Sequence, residues 1–118
     1  MEKNEFIEQM KKRTKDGALR VIKLFQSLPK TDEAKVIGKQ MLRSGTSFAA
    51  NYRAVCRARS KAEFFSKLSI VVEELEETLF WMEMLVDANI VTEVKLQALN
   101  KELMELISIL SHARKNAK

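Results

Sequence analysis

The sequence predicts an all-α protein that folds as an up-down-up-down, antiparallel four-helix bundle. Its 118 residues include only three glycines and one proline, and residues that favour helices are abundant. Apolar side chains recur every three to four positions in four segments that short links join. Because this length suffices for one domain with a real core, we assign residues 1–118 to a single domain.

The first helix is predicted over residues 4–27. Its apolar and small residues keep one helical phase through Gly17, although Asp16-Gly17 also fits a turn. We interpret Gly17 as a site where another helix packs closely against a continuous helix. Pro29 ends the helix, because proline lacks the backbone donor that a further turn would use.

The second helix is predicted over residues 32–59, with Thr31 or Asp32 as its N-cap. The stretch 43–47 has poor helix propensity, and Gly45 alone disfavours helix by about 1 kcal/mol relative to alanine. A loop is therefore the alternative at this point. Since the apolar residues before and after the stretch share one phase, we predict a continuous helix that tertiary packing stabilises.

The third and fourth helices are predicted over residues 61–87 and 92–115. The pattern Ser60-x-x-Glu63 is a capping box at the start of the third helix, and Asn89 is suited to end that helix. Short links between four helices of similar length predict that sequential helices are antiparallel neighbours.

The second and third helices each carry two apolar seams, whereas a monomeric bundle needs one seam per helix. The additional seam of the second helix is rich in small residues: Gly38, Leu42, Gly45, Ala49, Tyr52 and Cys56. We therefore predict burial beyond one subunit, in a homo-oligomer. The alternative is that the additional seams only widen the core of one bundle.

Positive charge is concentrated in the first half of the chain. Residues 1–61 contain 15 lysines and arginines against 6 acidic residues, whereas residues 62–118 contain 6 against 10. Five cations on the second helix fall within about 40° of one line along its axis. We call them the basic stripe and predict that they contact nucleic-acid phosphates: Lys35, Lys39, Arg43, Arg53 and Arg57. Arg20 and Lys23 on the first helix are expected to extend this surface.

Polar residues interrupt the seams of the second and third helices. Ser44 and Asn51 lie a heptad apart in a core seam of the second helix, and Glu74 lies in a seam of the third. Because buried polar groups require partners, we predict a network in which Ser44, Ser47 or Asn51 contacts Glu74, closed by Arg43. The alternative is that each group points to water at the edge of its seam.

The sequence predicts no enzyme, no cofactor and no metal site. His112 and Cys56 are the only histidine and the only cysteine, and they lie on different predicted helices. One cysteine excludes an internal disulfide and fits the reducing cytoplasm. The polar start is no signal peptide, and no apolar run is long enough to span a membrane.

The run from Gln40 to Asn51 resembles a signature of the four-helix-bundle proteins encoded in bacterial 23S ribosomal RNA intervening sequences. Glu74-Leu75-Glu76 resembles the signature of that family's third helix, and Arg57, Ser60 and Phe64-Phe65 resemble its linker region. The resemblance covers roughly residues 20–110. The chain departs from the family at Arg53-Ala54-Val55-Cys56, which replaces an acidic–glycine step and makes this region more basic.

The resemblance implies a homopentamer without enzymatic activity. The family is similar in fold to the accessory protein of diversity-generating retroelements, a pentameric barrel that works with nucleic acid and a reverse transcriptase. The leading functional hypothesis is therefore a homopentameric scaffold that binds RNA or DNA through the basic stripe. The alternative is a protein-interaction module that docks an acidic protein partner, such as a reverse transcriptase, without binding nucleic acid.

Overall fold

The computed structural model describes residues 2–116, which form four α-helices joined by short loops. The helices are α1 (Lys3–Gln26), α2 (Asp32–Val55), α3 (Lys61–Asp87) and α4 (Glu93–Asn116). The bundle is elongated, with extents of 45 × 23 × 19 Å. The predicted all-α four-helix fold is confirmed.

Contacts between the helices show that neighbours run antiparallel. Along α1 and α2, Gly17 lies beside Phe48, whereas Val21 lies beside Gly45, which comes earlier in the chain than Phe48. On the opposite face of α2, Asn51 contacts Glu74 and Ser44 contacts Thr78 of α3. The helices α3 and α4 also pack together, and a shorter contact between α1 and α4 closes the bundle. Since the backbones of α2 and α4 do not come close to each other in the part of the chain described, these two helices lie diagonally opposite each other.

Side chains and local backbone geometry begin α2 and α3, and end α3, where the sequence indicated. The Thr31 hydroxyl accepts a hydrogen bond from the Ala34 N–H, and the Ser60 hydroxyl accepts one from the Glu63 N–H at 3.0 Å. Asn89 follows α3 with a φ of 60°. The Ile90 N–H donates to the Leu85 carbonyl there, and the Asn89 N–H donates to the Val86 carbonyl, each at 2.9 Å. This is a Schellman motif, in which Asn89 occupies the left-handed position.

The helix α2 passes through the stretch 43–47 without a break, as predicted, but it ends at Val55 and not at residue 59. Cys56 and Arg57 form a turn, in which the Arg57 N–H donates to the Ala54 carbonyl. The chain reverses here so that Ser60 can cap α3, and a continued helix would carry it away from the bundle.

The small-residue seam of α2 is covered by α1 of the same chain. A Cβ atom on Gly45 would lie only 2.5 Å from Val21 Cγ1, and one on Gly38 would lie 2.8 Å from Leu28 Cδ1. The additional seam of α3 packs against α2, where Val71, Thr78 and Leu85 are fully buried. Both additional seams therefore widen the core of one bundle. They therefore give no evidence for a homo-oligomer, which stays a prediction.

Gly17 tolerates more than the sequence indicated. It is buried as predicted, but a Cβ atom there would lie 3.4 Å from Leu103 Cδ2 and 3.4 Å from Phe48 Cζ. These are ordinary van der Waals distances, so a small side chain fits at this site.

Candidate nucleic-acid interface

The basic stripe lies on the outer face of α2 and in the turn after it, and all five of its side chains are exposed. None of them forms an ion pair within residues 2–116. Lys35, Lys39 and Arg43 are one helical turn apart, at a rise of about 6 Å each. Arg53 and Arg57 form a second cluster, and Thr46 and Ala50 separate the two. The stripe therefore presents two groups of cations that form no ion pair within the described residues.

The second cluster continues into the loop between α2 and α3, which sequence reasoning left out of the site. Arg59 and Lys61 are exposed in this segment, and Arg59 is paired with Glu63 at 3.5 Å. From residue 52 to residue 62 the sequence contains four cations and no acid. This run of cations without acids is the sequence signal that would have identified the loop as part of the basic surface. It gives this end of the bundle a surplus of positive charge.

Arg20 and Lys23 do not extend the basic stripe. Both are exposed on the side of α1 that faces α4, where they line a shallow cleft with Lys95 and Leu99. They lie on the α4 side because Val21 and Phe25 occupy the side of α1 that packs against α2. The expectation that they join the α2 surface was wrong.

A polar contact between α2 and α3 lies beside the stripe. The Asn51 side-chain amide donates a short hydrogen bond to Glu74 Oε1. Partial burial raises the pKa of the Glu74 carboxyl above its usual value, and the charge of Glu77 acts in the same direction. The Asn51 amide, the charge of Arg43 and the Ser47 hydroxyl act in the opposite direction by favouring the carboxylate. The structure thus brings these network residues together around a half-buried acid.

Ser44 is linked to the backbone of Glu74 through Thr78, a residue that sequence reasoning did not assign to the network. The hydroxyls of Ser44 and Thr78 are hydrogen-bonded at 2.9 Å, and both side chains are buried. Thr78 Oγ1 also lies 2.8 Å from the Glu74 carbonyl, and Ser44 Oγ lies 3.2 Å from the Met41 carbonyl. Thr78 was detectable from its spacing, because it follows Glu74 by four residues in the same seam.

Arg43 belongs both to the stripe and to the surroundings of Glu74. Its guanidinium is exposed, yet its charge lowers the pKa of Glu74. A polyanion that engaged Arg43 would therefore act on a group that is coupled to the interface between α2 and α3.

The single cysteine lies at the end of α2 and is half-buried. Burial raises the pKa of the Cys56 thiol above its usual value, although the charges of Lys11 and Arg53 and a hydrogen bond with Tyr52 act in the opposite direction. Such a thiol is a weak nucleophile at neutral pH. Within residues 2–116, no three histidine, cysteine or acidic side chains are grouped so as to hold a metal ion. None of the helices described is long and apolar enough to cross a membrane.

Comparison with known families decides where the chain belongs. A family model described as 23S rRNA-intervening sequence protein matches residues 8–112. The chain belongs to this family. The match includes all of α2 and α3, so the basic stripe and the Asn51–Glu74 contact both lie within the family domain.

A solved structure supports membership of the 23S rRNA-intervening sequence protein family. The chain is similar to a protein of unknown function from the S23 ribosomal protein family of Bacteroides thetaiotaomicron VPI-5482. The two sequences are 32% identical, the TM-score is 0.83, and the alignment covers 92% of this chain and 97% of the other. A comparison with curated proteins finds no match.

Proposed function

We propose that the protein is a non-enzymatic, homopentameric scaffold that binds RNA through the basic stripe. The observation that carries this proposal is the exposure of five cations on α2 and in the turn after it, none of them paired with an acid of the described chain. Unpaired arginines and lysines on a rigid helix match the charge and spacing of a phosphate backbone.

The chemistry of the stripe favours phosphate contacts over recognition of bases. Its intervening residues, Thr46 and Ala50, are small, and it contains no aromatic side chain on which a base could stack. Binding is therefore expected to be weakly sequence-specific and strongly dependent on salt. Several copies of the stripe in one assembly would raise the affinity for a long RNA by avidity.

Family membership is consistent with an RNA ligand, because the family description refers to a sequence within ribosomal RNA. We also propose a cytoplasmic location, which fits an RNA ligand and a free thiol.

The test compares two double variants with the same change in charge. Arg53→Glu/Arg57→Glu reverses the second cluster of the stripe, whereas Lys95→Glu/Lys101→Glu reverses two exposed lysines on α4, diagonally opposite α2. Retention of structured RNA is measured at several salt concentrations, and the mass in solution is measured by light scattering.

The first variant should lose RNA retention while its mass stays unchanged, and the control should retain RNA. In the wild type, the logarithm of affinity should fall steeply with the logarithm of salt concentration, with a slope of about −0.7 to −0.9 per phosphate contact. Affinity that does not respond to salt would contradict the proposal. Loss of the assembly in the stripe variant would instead favour the module that docks an acidic protein.

A further inference from the structure

A groove between α3 and α4 has the properties of a docking surface that the basic stripe does not use. It has a volume of about 710 Å³ and is open to solvent. Phe80 is 48% exposed and Met104 is 56% exposed, although both are large and apolar. The remaining apolar lining includes Leu79, Val86 and Ile107. We call this surface the α3–α4 groove.

Acidic side chains border the groove. Glu76, Glu83 and Asp87 project from α3, and Glu93 projects from the start of α4. No lysine or arginine lines the groove, and none of these four carboxylates forms an ion pair within the described chain. An apolar floor between unpaired carboxylates fits a helix whose exposed face is apolar and flanked by cations.

The outer face of α1 has this complementary composition. It consists of Lys15, Leu19, Ile22, Lys23 and Gln26, which are spaced so that they share one side of the helix, with Lys23 at the edge nearer α4. Leu19 is 52% exposed, and Ile22 is half-buried. Lys15 and Lys23 are exposed and form no ion pair within residues 2–116. We call this surface the α1 outer face.

We propose that the α3–α4 groove of one subunit binds the α1 outer face of a second copy of this chain. Leu19 and Ile22 would cover Phe80 and Met104, while Lys15 and Lys23 would pair with the carboxylates at the groove's edge. This inference rests on the self-association included in the proposed function, and it names the two faces that meet.

The dimensions of the two surfaces match. The α1 outer face extends over residues 15–26, and the part of α3 that lines the groove extends over residues 76–87. At 1.5 Å per residue each is about 16 Å long. The basic stripe is a poorer occupant, because Val36 is its only large exposed apolar neighbour on α2. Docking of α1 therefore leaves the stripe free for phosphate.

The contact must form between copies. In one chain α1 packs against α2 and α4 and lies diagonally opposite α3, so its outer face points away from the groove. Two different surfaces meet in such a contact, which makes it heterologous. A heterologous contact closes into a ring when the rotation between subunits permits it, whereas an open dimer with one such contact would leave one groove uncovered.

Charge exchange tests the proposal. Glu83→Lys/Asp87→Lys reverses the groove, Lys15→Glu/Lys23→Glu reverses the α1 outer face, and all four residues are exposed. Mass is measured by analytical ultracentrifugation, and helical content is checked by circular dichroism. Each double variant should fall to the mass of one chain, 13.6 kDa. The quadruple variant, which restores opposite charges across the contact, should regain the mass of the wild type.

Two further variants complete the design. Met104→Glu places a charge on the apolar floor and should also give single chains. Glu5→Lys/Glu73→Lys makes the same change in net charge at exposed acids outside the groove and should leave the mass unchanged. Any of three results would overturn the proposal. The wild type could be a single chain at all concentrations, a groove variant could stay assembled, or the quadruple variant could fail to reassemble.

RNA retention separates this inference from the proposed function. If the groove is not the contact but the stripe variants still lose RNA, only this inference fails. If the assembly behaves as described but the wild type retains no RNA at low salt, only the RNA-binding part of the proposed function fails.

Discussion

The side chain of Asn51 on α2 donates a hydrogen bond to the carboxylate of Glu74 on α3, across the largest helix–helix contact of the bundle. The acceptor is an acid whose pKa is raised by partial burial. The pair therefore joins two helices through a carboxyl that binds its proton more tightly in the folded state than in the unfolded chain, and the pH dependence of stability should reveal it.

The stability of the wild type should depend on pH through Glu74. Since the folded state raises the pKa of this carboxyl above 4.5, it binds the proton more tightly than the unfolded chain does. The contribution of Glu74 is complete below the unfolded pKa and is lost as pH rises through the folded pKa. The unfolding free energy of the wild type relative to Glu74→Gln should thus decline as the pH rises above about 4.5. Parallel denaturation curves for the two proteins would contradict this.

Asn51→Ala should destabilise the protein by about 1–3 kcal/mol, because a half-buried carboxylate loses its amide donor. The same variant should raise the pKa of Glu74 further. The control is Asn4→Ala near the start of α1, an exposed position outside the α3–α4 groove, which should change stability by less than about 0.5 kcal/mol. Chemical denaturation of both variants provides the measurement.

Two glycine-to-alanine substitutions should have opposite signs. At Gly45 the new methyl would meet the fully buried, β-branched Val21 at 2.5 Å, and overpacking should cost about 1–3 kcal/mol despite the better helix propensity of alanine. At Gly17 the nearest atoms are 3.4 Å away, so alanine should stabilise the protein by up to about 1 kcal/mol. Melting temperatures that move in the same direction would show that the steric argument is wrong.

Arg13→Met should loosen the contact between α1 and α4. The Arg13 guanidinium donates to both Glu102 oxygens, at 3.0 and 2.8 Å, and to Glu105 at 2.9 Å, while its side chain is 22% exposed. Because the hydrogen bonds of the guanidinium to both glutamates are lost, we expect destabilisation of about 1 kcal/mol and faster amide exchange in the first half of α1. Lys12→Met, which removes an exposed pair with Asp16, should cause no measurable change.

Replacement of Asn89 should separate a backbone effect from a side-chain effect. Asn89→Ala should destabilise the protein by about 1 kcal/mol, because a Cβ-bearing residue without a local hydrogen-bonding side chain is strained at a φ of 60°. Asn89→Gly should be neutral or slightly stabilising, since glycine is the usual residue at this position of a Schellman motif. Equal losses for both variants would indicate that the asparagine amide itself matters.

Periodicity and cap chemistry were sufficient to predict the fold. Residues such as Thr31, Ser60 and Asn89 act on their own backbone, within a few residues, so their effects can be read from the chain. The continuous helix through Gly45 was also predictable, because the apolar residues keep the same helical phase on both sides of a stretch with poor helix propensity. The exposure of the basic stripe followed from the same periodicity.

Relationships between helices were harder to predict. The additional seams of α2 and α3 and the position of Arg20 depend on which helices are neighbours and how each is rotated about its axis. The role of Thr78 was missed for a similar reason, since only the register between α2 and α3 places its side chain against Ser44.

By itself the sequence determined four helices, the caps at Thr31, Ser60 and Asn89, and the cations that face outward on α2, because these depend on spacing along one chain. Only the tertiary structure decided that the small residues of α2 receive α1, that Arg13 joins α1 to α4, and that an acid-bordered groove stays open between α3 and α4. The physical reason is that packing depends on the shapes of two surfaces at once, and helical periodicity specifies only the direction in which each surface faces.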